Sequence, residues 1–173
     1  NVGDLEAIYR FAERHQLRVI EDAAHAFGSH YQGAPIGSIG DLVCFSFDPI
    51  KNITSGEGGA VICRDNATLM QLRTLRNLGI TPCTTENGSY DFDVTDPGYR
   101  YHMPDLMAAI GRSQLSRFTT TIVPAKKTLK AAYIECLQGI EGVTLLPLEA
   151  ECVPHIIPVM VAPEKRLRCQ QAL

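Results

Sequence analysis

Phe45-Ser46-Phe47-Asp48-Pro49-Ile50-Lys51-Asn52-Ile53-Thr54-Ser55-Gly56-Glu57-Gly58-Gly59-Ala60-Val61 is the stretch, residues 45–61, on which the reading of this chain turns. It opens at the end of an apolar run, Asp41 to Phe47, that reads as a strand. Asp48-Pro49 then turns the chain, and a glycine-rich entry leads into another strand at Ala60-Val61-Ile62-Cys63. Lys51 sits just beyond the first of these strands. Partial desolvation there would make its amine nucleophilic; in open solvent it would be an ordinary surface lysine. Ser46, five residues earlier, is by itself more often a structural hydroxyl than a ligand contact. The glycines at 56, 58 and 59 permit close backbone approach around Glu57. No Gly-Lys-Ser/Thr follows them, and a strand rather than a helix comes next, so neither a phosphate loop nor a dinucleotide fingerprint is present.

Working outward, Asp4 is placed to cap a helix running to about His15, with Leu5, Ile8, Tyr9 and Ala12 on one face. Leu17 to Glu21 reads as a short buried strand ending in Glu21-Asp22. An acid at such a strand end lies where α/β proteins place ligands, and His25 is close by in sequence. Asp22 as a turn cap and His25 as a core residue is the competing reading. Residues 28–41 carry Gly28, Gly33, Pro35, Gly37 and Gly40 and read as loop. Asp65 or Asn66 can cap a helix with Leu69, Leu72, Leu75 and Leu78, stopped by Gly79 and Pro82. Residues 80–102, with Asn87-Gly88 and Asp96-Pro97, read as a long polar loop. Pro104 opens a helix with Leu106, Met107, Ile110 and Phe118 as its apolar positions, and Pro124 opens another to about Gln138. Ile156 to Val161 reads as a strand of a smaller C-terminal lobe. The order is α/β, and the continuously apolar strands predict a sheet covered on both faces.

The 173 residues suffice for a real core, and a hydrophobic fraction of 45% argues against disorder. A formal charge of -3 argues against a general nucleic-acid binder, and no apolar run approaches a membrane span. None of the 6 cysteines forms a CxxC pair, so no zinc or dithiol motif is expected; Cys44 and Cys63 read as reduced, buried thiols in a cytoplasmic protein. The chain opens on Asn1 without an initiator methionine and stops in an incipient helix, as a piece of a longer protein would.

Taken in order, EDAAHAFGSHYQGAPIGSIGD (21–41) and FSFDPIKNITSGEGGAV (45–61) closely resemble the DegT/DnrJ/EryC1/StrS sugar aminotransferases. The resemblance resumes at GYRYHMPDLMAAIGRSQL (98–115) and, weakly, at His155 to Val161. It implies the pyridoxal-phosphate-dependent transferase fold of type I. Residues 1–123 would be the C-terminal part of the large cofactor-binding domain, its sheet flanked by helices, and 124–173 the start of the small C-terminal domain. It implies that Lys51 is the catalytic lysine, joined to pyridoxal 5'-phosphate as a Schiff base, and that Asp22 pairs with the pyridine nitrogen. His25 would lie against the cofactor ring, and Ser46 would bind the phosphate. Arg100 falls where the family commonly has an asparagine that reaches the phosphate of the neighbouring subunit. Here the common GxNYRM reads Gly98-Tyr99-Arg100-Tyr101-His102-Met103, and arginine would meet a phosphate with different geometry. No metal is implied.

Asp22 would keep the ring nitrogen protonated, so that the ring draws electrons from a breaking Cα–H bond, while Lys51 moves the proton as base and then acid. A histidine in place of this lysine marks the family's deoxygenating dehydratases, so lysine favours transamination. The implied reaction moves an amino group from glutamate or a similar donor to a nucleotide-linked keto-sugar, for surface-polysaccharide or deoxyamino-sugar biosynthesis. The run Lys51 to Glu57 is closer to members acting at C4 than to those acting at C3. A keto-cyclitol aminotransferase and a non-catalytic, cofactor-binding regulatory protein are the alternatives. The full-length protein is expected to be a homodimer with shared sites. Phosphate-binding and ring-stacking groups are expected before Asn1, so the fragment alone would bind cofactor poorly.

Overall fold

The computed structural model describes residues 2–84, 90–149 and 151–172. Helix α1 (Leu5–Arg14) starts where the Asp4 carboxylate accepts the Ala7 amide at 3.0 Å. Leu5 and Ala12 are buried, whereas Ile8 is 46% exposed on the rim of that face. Gln16 takes a positive φ of 54°, and the Leu17 amide donates back to the Ala12 carbonyl at 2.8 Å, which ends the helix.

The central sheet has the order β1-β4-β5, with β1 at Ile20–Asp22, β4 at Leu42–Ser46 and β5 at Gly59–Cys63. β1 runs parallel to β4, with Asp22 opposite Cys44; β5 runs antiparallel to β4, with Gly59 opposite Ser46. Alternation along β4 buries Val43 and Phe45 on one face, in a core with Leu5, Ala23 and Ile36. Phe27 meets Phe45, Phe47 and Phe118 edge-on, with ring centroids 5.3, 5.6 and 4.9 Å apart.

Among the described residues the expected two-sided cover is not found. Ile20 and Val61, which share the other face through their partners Leu42 and Cys44, are 67% and 46% exposed. Nor is Leu17 part of a buried strand, being 57% exposed ahead of β1.

The expected loop at 28–41 contains a small hairpin, β2 (His30–Tyr31) and β3 (Ala34–Pro35), turning through Gln32 and Gly33 at φ 51° and 79°. Helix α2 (Asn66–Arg76) begins where Asp65 accepts the Thr68 amide at 2.7 Å. The first part of the stretch expected to be a long loop instead forms two paired antiparallel strands, β6 (Ile80–Thr84) with β7 (Tyr90–Val94), while residues 95–102 lie in no helix or strand. Its Asn87-Gly88 signal lies outside the described residues.

Helix α3 (Asp105–Ser116) starts after Pro104 and runs through a π-helical turn, Phe118–Ile122, into α4 (Val123–Leu137). A strand not anticipated, β8 (Val143–Leu145), pairs antiparallel with β9 (Val159–Val161), which is shorter than the Ile156 to Val161 run. Helix α5 (Pro163–Ala172) follows.

Candidate functional site

Register settles where the acid and the serine stand. Asp22 is opposite Cys44, and Ser46 is two residues further along β4, so Asp22, Cys44 and Ser46 share the face opposite Val43. Both polar residues are the last of adjacent, parallel strands, where α/β sheets leave room for ligands. Asp22 is exposed, and one of its carboxylate oxygens accepts the Ala24 amide at 3.1 Å. Burial pushes the Cys44 thiol pKa up, and the neighbouring Asp22 charge adds to the shift. The Ser46 hydroxyl accepts the Asp48 amide at 3.3 Å.

Lys51 is carried by a loop that is tied at its base to Phe47. The Phe47 amide donates to the Gly58 carbonyl at 2.8 Å, and the Ser55 amide to the Phe47 carbonyl at 3.0 Å. The Asp48 carbonyl receives the Lys51 amide at 3.1 Å. Asn52, Ile53 and Ser55 are buried, which anchors the loop directly after the half-buried lysine, whereas Ile50 before it is exposed. The glycines of this loop have a packing reason. A Cβ on Gly56, at φ +85°, would lie 2.8 Å from the Met107 sulfur, and one on Gly58 would lie 2.6 Å from both Met103 Cε and Ser55 Oγ. They let α3 press against the lysine loop.

Asp22 and His25 line one cleft of about 260 Å3, together with Ala26, Ser29, Cys152 and His155. The His25 and His155 rings meet edge to face with centroids 4.5 Å apart. His155 has a pKa held below the usual histidine value, first by burial, then by the charges of His25, Lys51 and Lys126; a backbone hydrogen bond at Ile50 opposes this. Its Nδ1 is buried without a partner. Ser46 and Lys51 do not line this cleft, although the Lys51 charge reaches His155. Arg100 does not line this cleft either. It is exposed, bridges to Asn77 at the end of α2, and lies between Tyr99 and Tyr101, whose rings stack 5.1 Å apart. No group of three or more metal-ligating side chains occurs among the described residues.

Of the two cleft histidines, His155 is the one that reasoning from local motifs misses. It lies far along the chain from His25, and the run Val153-Pro154-His155-Ile156 carries no site signal beyond a polar group in apolar surroundings.

Comparison with known proteins points to one family. The family model described as the DegT/DnrJ/EryC1/StrS aminotransferase family matches residues 1–173. The chain is 35% identical over 170 residues to the UDP-4-amino-4-deoxy-L-arabinose–oxoglutarate aminotransferase of Shewanella sediminis, covering 96% of this chain and 43% of that protein. Spr1654 from Streptococcus pneumoniae in its PLP form superimposes with a TM-score of 0.85 at 26% identity, over 98% of this chain and 48% of the other. The sugar aminotransferase CalS13 from Micromonospora echinospora gives 0.83 at 28% identity, over 99% and 48%. The chain thus spans about half the length of the relatives it matches.

Proposed function

Because this chain belongs to the DegT/DnrJ/EryC1/StrS aminotransferase family, we propose that its protein moves an amino group from an amino acid, glutamate by preference, to a nucleotide-linked keto-sugar. The chain is a mixed α/β part of the type I pyridoxal-phosphate transferase fold. The observation that carries the proposal is the shared sheet face. Asp22 and Ser46 end adjacent parallel strands on that face, and the tied loop bearing Lys51 follows Ser46 directly.

This donor set fits pyridoxal phosphate. It offers a carboxylate for a protonated ring nitrogen, a hydroxyl for the phosphate, an imidazole for the ring and a primary amine for the aldehyde. When bound, the cofactor supplies an electron sink for the bond that breaks at the donor's α-carbon. Asp22 holds the ring-nitrogen proton, since a nearby anion favours the charged form. Lys51 takes the proton from the α-carbon and returns it as general base and then acid. Ser46 binds phosphate, His25 supports the ring, and Arg100 reaches the phosphate of a second subunit in a homodimer. Residues 1–123 serve as the end of the large domain and 124–173 as the start of the small one. Amination at C4 is supported by the Lys51 to Glu57 run and by the 4-amino-4-deoxy sugar in the name of the Shewanella relative. A reducing cytoplasm is supported by the free cysteines at 44, 63, 136 and 169; no helix among the described residues is long and apolar enough to cross a membrane.

The full-length protein is expected to show a visible absorption band from the bound cofactor, and Lys51→Ala to abolish it. A band unchanged by that substitution would refute the assignment of Lys51. Keto-sugars and cyclitol ketones assayed side by side with glutamate separate the two substrate classes.

A further inference from the structure

The residue after Lys51 has its side chain engaged on two other segments. Asn52 is 5% exposed, and its Nδ2 donates to the Phe27 carbonyl and to the Val153 carbonyl, each at 2.9 Å. Turning the amide over would set its oxygen against both carbonyl oxygens, so the network fixes its orientation. Its Oδ1 is buried without a partner. On the other side of the same residue, the Val153 amide donates to Ser29 Oγ at 3.0 Å, with Ser29 2% exposed and Val153 1%. Both polar groups of Val153 are therefore held by side chains distant in sequence, one from the lysine loop and one from the segment after His25. Two residues beyond Val153 stands His155, in ring contact with His25.

We propose that Asn52 and Ser29 form a clamp on the Val153 backbone that positions His155 against His25, which makes both of them positioning residues of the aminotransfer site. The inference rests on reading the Asp22–His25 cleft as part of the cofactor site. The clamp joins the segments that carry Lys51, His25 and His155 through buried hydrogen bonds. A buried amide or carbonyl that loses its partner has no water to replace it, so the segment has one favoured seat. Val153 also borders a second cavity, of about 570 Å3, with Gly28, His30 and Phe118. Releasing the clamp would let the 152–155 segment move toward that space and carry His155 away from the cleft.

The test uses the full-length protein with Ser29→Ala and Asn52→Ala. Asn52→Ala leaves two carbonyls without donors and can prevent folding; Ser29→Ala removes one acceptor and is the variant that carries the test. The first readout is the His155 imidazole signal in cofactor-free protein by NMR, assigned with His155→Gln. In the wild type His155 should titrate below the ordinary histidine value of about 6.5, and each clamp variant should move its midpoint up toward that value. The second readout is kinetic: Ser29→Ala should lower kcat about ten-fold with KM held within about two-fold. On the His155→Gln background the same substitution should cost less than about two-fold. An unchanged His155 midpoint, or the same loss of kcat in both backgrounds, would overturn the clamp. A shifted midpoint in a protein without the cofactor band would support the clamp and refute the cofactor reading instead.

Discussion

Replacing Gly58 by alanine tests whether the lysine loop is held in shape by its own packing. Gly58 has a φ of +153°, a region that residues with a Cβ rarely enter. The added Cβ would stand 2.6 Å from Ser55 Oγ. That hydroxyl cannot easily give way, because Ser55 is fully buried and donates to the Glu57 carbonyl at 2.8 Å. The backbone term is of order 1–3 kcal/mol, and loss of the Ser55 hydrogen bond adds about 1 kcal/mol. Together they come to about 3 kcal/mol. Gly33 supplies the control. Its φ is +79°, but nothing lies within 4 Å of the Cβ position, so alanine there meets only the backbone penalty, about 1 kcal/mol. Urea unfolding of the cofactor-free protein, with both variants run beside the wild type, should separate them by about 2 kcal/mol. If Gly58→Ala is no more destabilising than Gly33→Ala, the packing account of the loop is refuted.

Two further outcomes follow from the core. Burial and then the Glu21 carboxylate push the Tyr9 pKa up to about 12, so the unfolded chain binds this proton less tightly than the native state. Stability from the Tyr9–Glu21 pair should hold below about pH 10 and fall as pH rises through about 12, a loss that Tyr9→Phe should remove. At neutral pH that substitution should cost about 1 kcal/mol, kept small by partial solvent screening, as read by chemical denaturation. Phe118 is 6% exposed, and its ring would clash with any Cβ on Gly28. Phe118→Ala should therefore destabilise by about 3–5 kcal/mol in the same measurement, and an effect under about 1 kcal/mol would mean that the ring is not part of the core.

What the sequence discloses depends on how local the determining physics is. Asp4 and Asp65 announce their helices because a cap is a contact between neighbours in sequence. The strands at 42–46 and 59–63 and the turn between them are legible for the same reason. The β6–β7 pair was obscured by composition. Tyr90-Asp91-Phe92-Asp93-Val94 alternates with the period of a strand, yet its charge suggests loop, and Phe92 and Val94 are indeed exposed. Lys51, Asp22, His25 and Ser46 could be named from motifs, and the sheet register puts Asp22 and Ser46 on one face. His155 and the Asn52 and Ser29 contacts to Val153 could not, since each depends on where a distant segment docks.

The tie at Phe47 bears on how tightly a ligand can be held. Because the Phe47–Gly58 and Phe47–Ser55 hydrogen bonds close the loop at its base, its chain entropy is surrendered when the protein folds and not when a small molecule arrives. A group that bonds to Lys51 meets an amine on an anchored backbone, so its binding free energy need not be spent on ordering the loop. On the role proposed for Lys51, affinity at this position is set in advance, by residues such as Ser55 and Gly58 that need never touch the ligand.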